Sequence, residues 1–281
     1  MVIFTGGFHM EDKNFEKYTF MGIISIILGI GGILLHYIFY CLYLEPLLDA
    51  ETEAAQACAA TAPYFLSLFA DFGFLGGVLW LLAGVGFLQK KKWAYPLAVI
   101  GVVLSLKSSF WPNIPMMETK VAVPGPWFLI FLPNLIVYFY LLRSVGKEAW
   151  NKIWLGLFTG MAFILNFING IASTTRMVTN ELTNAEIFIL TERMNMVASI
   201  LFGIATVGVM LSKRKEIIRI IGLAGTFSSI IAGFPLAIYS MFFFRSNIGF
   251  SMFIMAPIIS TLTGFVFLIP KWWNKIVGQK E

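Results

Sequence analysis

Six polar side chains stand in or at the edges of long apolar runs: His36, Asp71, Lys107, Asn166, Asn169 and Arg193. Imidazole and carboxylate exchange protons, ammonium and guanidinium hold anions, and carboxamides both donate and accept hydrogen bonds. Inside an apolar segment such groups mark sites that bind or pass something, because burying them there is costly. We take all six as candidate substrate-binding residues. Their depth follows from their distance to the lysine-rich ends of the runs, since a helix rises about 1.5 Å per residue. Lys107 is 15 residues past Lys92 (107 − 92) and Asn166 is 14 past Lys152 (166 − 152). Both therefore lie roughly 21–22 Å from that edge, with Asn169 about a turn further. His36 and Asp71 are each 19 residues from Lys17 and Lys90, roughly 28 Å in. Arg193 falls near the opposite surface. The expected arrangement is a polar vestibule open on the side away from the lysines and floored by an apolar inner half. The competing reading has each group snorkel to the interface on its own. It suits Arg193 and His36 better than the short carboxylate of Asp71.

The runs that carry these residues are Phe20–Tyr43, Tyr64–Leu88, Trp93–Trp111, Trp127–Leu142, Ile153–Ile171, Met194–Leu211, Ile217–Ser240 and Ile248–Ile269. They do not alternate as strands do, and each is close to the roughly 17–25 residues that cross a bilayer as a helix. The 281-residue chain is 58% hydrophobic and only 12% charged, with mean hydropathy +0.82. A soluble domain carries about 25% charged residues. The expected fold is an all-α integral membrane protein of about eight transmembrane helices, with membrane lipid as its first partner. No cleavable signal peptide is expected at residues 1–10, which lack a long apolar core.

Basic residues gather at one set of run ends: Lys13 and Lys17, Lys90–Lys92, Arg143, Lys147 and Lys152, Lys213–Lys215 and Arg219, then Lys271, Lys275 and Lys280. Lys120, Arg176, Arg193 and Arg245 fall at the other ends. By the positive-inside rule both termini are expected to be cytoplasmic. The acids Glu45, Asp49, Glu51, Glu53, Glu118, Glu181, Glu186 and Glu192 fall outside. Glu45, Asp49 and Glu53 share one helical face, either a cation-collecting lip or a solvated surface. Trp93, Trp111, Trp127, Trp150, Trp154, Trp272 and Trp273 lie near run ends, where interfacial tryptophans anchor helices. The net charge of +5 follows from these clusters and does not point to nucleic acid.

The chain also resembles itself. Trp150-Asn151-Lys152-Ile153 returns as Trp273-Asn274-Lys275-Ile276, a shift of 123 (273 − 150). The same shift carries Lys90–Lys92 onto Lys213–Lys215, Ser105 onto Ser228 and Pro112 onto Pro235. The expected organisation is a tail at residues 1–19, one repeat at 20–149 and a second at 150–281. Four helices per repeat is an even number, so the copies run parallel, 4+4, about an axis normal to the membrane. The long outer loops Leu44–Pro63 and Ser173–Arg193 would correspond. A slip of one residue, suggested by Val85-Gly86 and Val207-Gly208, would pair Asp71 with Arg193 as opposite charges across that axis. Pro112 and Pro235 are expected to end or kink the third helix of each copy. Ser105, Ser108, Ser109, Ser228 and Ser229 are then placed to satisfy the freed carbonyls. Small residues at Gly73 and Gly77, at Gly156 and Gly160, and at Gly29, Gly31 and Gly32 suit close helix packing.

Much chemistry is excluded. There is no Walker A loop, no His-Glu-x-x-His, no Gly-x-Ser-x-Gly and no dinucleotide fingerprint. Two Cys and two His leave no metal cluster, and a bis-histidine haem would have to use His9 in the tail. No cofactor is expected. Cys41 and Cys58 are a candidate disulfide. Three functions remain: a small-solute permease or channel-like carrier, a non-catalytic accessory subunit of a larger membrane complex, and an enzyme acting on a lipid or quinone through Asp71 or Lys107. The repeat favours the first, an apolar inner half favours the second, and the lack of any catalytic motif disfavours the third.

Overall fold

An apolar run too long and too uniform for a strand has one way to satisfy its amides away from water, which is to hydrogen-bond along its own axis. The computed structural model describes residues 15–53, 59–178, 185–244 and 252–278, and every regular element among them is helical. The chain divides into two units, Met1–Ile153 and Trp154–Glu281. The first contains α1 (Phe15–Glu53), α2 (Ala62–Leu88), α3 (Ala94–Phe110), the short α4 (Asn113–Glu118) and α5 (Phe128–Tyr140). The second contains most of α6 (Trp150–Val178), then α7 (Ala185–Leu211), α8 (Lys215–Tyr239), α9 (Met255–Leu268) and α10 (Pro270–Val277). Seven helical segments are long and apolar enough to cross a membrane. The pair α9 and α10, bent by 84°, makes an eighth if counted as one span.

Several boundaries differ from expectation. Much of what reads as outer loop is helix: α1 runs on through Pro46 to Glu53, α6 reaches Val178 and α7 begins at Ala185. Residues 173–193 contain no Gly or Pro to stop a helix, and Phe188 is buried against Leu236 and Tyr239. On the extension of α1, Glu45, Asp49 and Glu53 are exposed while Leu47 and Glu51 are buried. The acidic stripe is thus the solvated side of an amphipathic end. Pro112 does end α3, and α4 starts directly after it. Pro235 does not end α8, which continues to Tyr239 and a π-helical turn at Ser240–Phe244. The tryptophans divide as well. Trp93, Trp150, Trp154 and Trp272 are exposed, but Trp127 and Trp273 are buried, and Trp111 stacks on Phe69 at 4.9 Å. His9, Lys13, Cys58, Glu181, Arg245 and Lys280 lie outside the described residues.

Glycine sets the approach of α1 to α2. A Cβ on Gly77 would stand 2.9 Å from the Gly29 carbonyl oxygen, and one on Gly84 2.9 Å from that of Gly22. The two crossings are seven residues apart, so the backbones touch along one seam. Gly76, on another side of α2, lies against Ser105 and the Gly101 carbonyl of α3. A Cβ on Gly31 or Gly32 would meet nothing within 4 Å beyond its own helix, so neither takes part. In the second unit, α8 packs on α9 through Gly222 against Phe267 and Gly233 against Pro257. Arg219 closes the end of α9: Nε donates to the Phe267 carbonyl at 2.6 Å and a terminal nitrogen to Leu268 at 3.1 Å. These two carbonyls are freed where the chain turns into α10, so the guanidinium supplies the donors that the helix no longer does.

Gly77→Ala should lower the melting temperature of the detergent-solubilised protein, because its methyl meets backbone that cannot yield. Gly31→Ala meets nothing and gains helix propensity, about 1 kcal/mol, so its melting temperature should be unchanged or higher. Equal effects of the two substitutions would show that the seam is not held by close backbone approach.

Candidate functional site

Four of the six candidate residues are buried: His36, Lys107, Asn166 and Asn169. Asp71 and Arg193 are exposed. Helices α2 and α7 end in step under the shift of 123 (211 − 88). That register carries Asp71 onto Met194, so the slip needed to match it with Arg193 has no support in the helix bounds.

In the first unit, His36 of α1 sits where α2 has Gly73, and a Cβ there would collide with the imidazole. Its Nδ1 lies 2.7 Å from the Gly32 carbonyl, which accepts, so Nδ1 carries the proton. Nε2 is then a buried acceptor with no partner. Lys107 of α3 is only 2% exposed, and its ammonium lies 3.8 Å from the centroid of the Phe72 ring on α2. The ring face offers a cation partial compensation for lost water. Ser108 and Ser109 both donate to the Ser105 carbonyl, at 3.0 and 2.5 Å. They bond back to their own preceding turn and so do not serve the proline break. Asn113 does that: its Nδ2 donates to the Ser109 carbonyl at 2.7 Å. Further along, the Trp80 indole donates to Asn134 Oδ1 at 2.9 Å, tying α2 to α5, while Asn134 Nδ2 donates to the Ile130 carbonyl.

In the second unit, four helices contribute buried polar groups. Asn166 of α6 donates through Nδ2 to its own Ala162 carbonyl at 2.8 Å and to Ser260 Oγ of α9 at 3.0 Å. Asn169 reaches the Phe253 carbonyl at 2.9 Å. Ser199 of α7 donates to the Phe163 carbonyl of α6 at 2.9 Å. Asn195, one turn before Ser199 on α7, donates to the Thr191 carbonyl at 2.7 Å. Ser229 of α8 lies one turn beyond Gly225, which touches Leu201 and Phe202 of α7, and between Thr226 and Gly233, which meet Gly264 and Pro257 of α9. The expectation that Ser229 satisfies a freed carbonyl fails, because its hydroxyl has no partner.

Sequence reasoning passed over Asn134, Asn195 and Ser260. Each is a single small polar residue within an apolar helix, and only packing shows that it turns inward. The expectation of an apolar inner half also fails. Thr159, Thr206, Thr226 and Thr263 are buried there, each hydroxyl donating to the carbonyl four residues earlier at 2.7–3.0 Å. Among the described residues no three His, Cys, Asp or Glu side chains gather as a metal site.

Asn134→Leu should leave the Trp80 indole N–H buried without an acceptor, at a cost of about 1–3 kcal/mol. Adding Trp80→Phe removes the stranded donor, so the double variant should melt higher than Asn134→Leu alone. If the second change brings a further full loss, the two side chains act separately. No family model matches the chain, and no match is found to a curated protein or a solved structure.

Proposed function

We propose that the chain is a multi-pass membrane protein that carries a small solute, built as two parallel four-helix repeats with both termini cytoplasmic. The observation that carries this reading is the distribution of polarity. Large apolar side chains such as Leu34, Ile136, Leu190, Ile200 and Ile231 face outward, while His36, Lys107, Asn166, Asn169 and Asn195 are buried. That arrangement suits lipid outside and a polar lining inside. Asp71 and Arg193 stand as further lining candidates, at the margin of the set because they are exposed. The C-terminal ends of α2 and α7, Leu88 and Leu211, fall in step under the shift of 123, which supports the duplication. The lysine clusters at alternate helix ends support the orientation.

Transport is tested in proteoliposomes by stopped-flow light scattering, with gradients of neutral polyols, urea, amino acids and alkali salts. One class should equilibrate faster than in protein-free vesicles, and Asn166→Leu should slow it. Equal rates for every class would reject the carrier reading and favour the accessory-subunit function. Orientation is tested separately with single cysteines in a background of Cys41→Ser and Cys58→Ser. Lys91→Cys and Arg214→Cys should resist impermeant thiol reagents in intact cells, whereas Asp49→Cys and Lys120→Cys should react. The reverse pattern overturns the orientation. All four positions are exposed, so burial does not confuse the result.

A further inference from the structure

The chain turns sharply where α9 gives way to α10. Ile269 is extended, Pro270 opens the new helix, and the two axes diverge by 84°. A helix set nearly at right angles to a membrane span lies along the membrane surface. A path back into the hydrocarbon is closed to α10, because Lys271 and Lys275 are both exposed on it and charge is costly there. The helix ends cleanly: Gly278 is left-handed and its N–H donates to the Asn274 carbonyl.

Its sides differ in kind. Residues four apart share a side of a helix. Trp273, with Val277, faces the bundle: it is fully buried, and its ring lies 5.5 Å from that of Phe267 on α9. Trp272, with the half-buried Ile276, forms the next stripe, and Trp272 is 49% exposed. Lys271 and Lys275 form a third, turned away from the bundle and bordering the Trp272 stripe. The neighbouring end of α8 is basic as well. Arg219 holds it beside the turn by donating to the Phe267 and Leu268 carbonyls. Lys213 and Arg214 are exposed in the connection just before α8. Residues 211–219 and 268–278 together hold six Lys and Arg and a single acid, Glu216, which faces Arg219 at 3.5 Å.

We propose that α10 is an interfacial helix that docks on an anionic lipid surface, with Trp272 and Ile276 at the acyl boundary and Lys271 and Lys275 on the phosphates beside it. Charge complementarity selects the occupant: six cations against one acid match a negative surface. The bordering apolar stripe selects lipid over a soluble anion, which would take the lysines and leave Trp272 in water. Lysine stems can lie along the apolar flank while their ammonium groups reach the phosphates. A sheet of headgroups also does not require the cations to converge on one point, as a single bound ion would. The proposal rests on the multi-pass reading of the chain and not on transport.

The full-length protein in dodecyl maltoside is melted with dioctanoyl phosphatidylglycerol, with dioctanoyl phosphatidylcholine, or with sodium phosphate. The anionic lipid should raise the melting temperature saturably, and the other two should not. Lys271→Gln combined with Lys275→Gln should shift the half-saturating mole fraction up about thirtyfold, the worth of two basic side chains near an anionic surface. Both side chains are exposed, so the fold should be spared. Lys91→Gln with Lys92→Gln removes the same charge from the turn between α2 and α3, where no amphipathic helix follows, and should leave the response unchanged. Equal melting in the two lipids, or equal shifts in the two double variants, overturns the site and leaves the lysines as topology signals alone. A rise with sodium phosphate assigns them to a soluble anion and also overturns it. Depth is read in vesicles containing phosphatidylglycerol, with spin labels on single cysteines in a background of Cys41→Ser and Cys58→Ser. The label of Trp272→Cys should be relaxed by oxygen, and that of Lys271→Cys by a water-soluble nickel chelate. A Trp272→Cys label relaxed by the chelate instead removes α10 from the interface. A chain that stays monodisperse without detergent refutes the multi-pass reading itself, which is a separate failure. A lipid response without solute flux rejects the carrier and keeps this site.

Discussion

The structure depends on one constraint: a hydroxyl or carboxamide turned away from water must find its partner within reach of its own helix. Ser173, Thr159, Thr206, Thr226 and Thr263 each donate to the carbonyl four residues back. This bond needs nothing from a neighbouring helix and so specifies no tertiary contact. It lets an apolar helix carry polar atoms at little cost. The bonds that reach another helix are few, and for that reason they are informative. Trp80 to Asn134, Asn166 to Ser260, Ser199 to the Phe163 carbonyl and Arg219 to the end of α9 fix which faces meet. Between lipid-compatible surfaces, burial of apolar area does not distinguish one face from another, and such bonds together with the glycine seams must do so.

The helical class was legible because it follows from composition and length alone, and the count nearly so: about eight runs were expected, and seven described helices are long and apolar enough to span, or eight with the bent pair α9 and α10. Boundaries were less so. Residues 44–63 and 173–193 read as loops because their acids break the apolar runs, yet charge does not stop a helix and the second stretch has no Gly or Pro. Pro112 and Pro235 look equivalent in sequence and behave differently. Asn113 follows Pro112 and caps the Ser109 carbonyl, whereas Pro235 is followed by Leu236 and Ala237, both buried in continued helix.

The candidate site was legible in part for a related reason. Charged and large polar residues stand out in an apolar run, so His36, Lys107, Asn166 and Asn169 were visible. Ser229 and Ser260 were not distinguishable from the hydroxyls that merely bond to their own helix. Ser229 differs by a missing bond and Ser260 by a bond from Asn166 of another helix, and both differences exist only in three dimensions. Asp71 was singled out because carboxylates are costly in lipid, but facing direction decides that cost, and one residue of register decides facing.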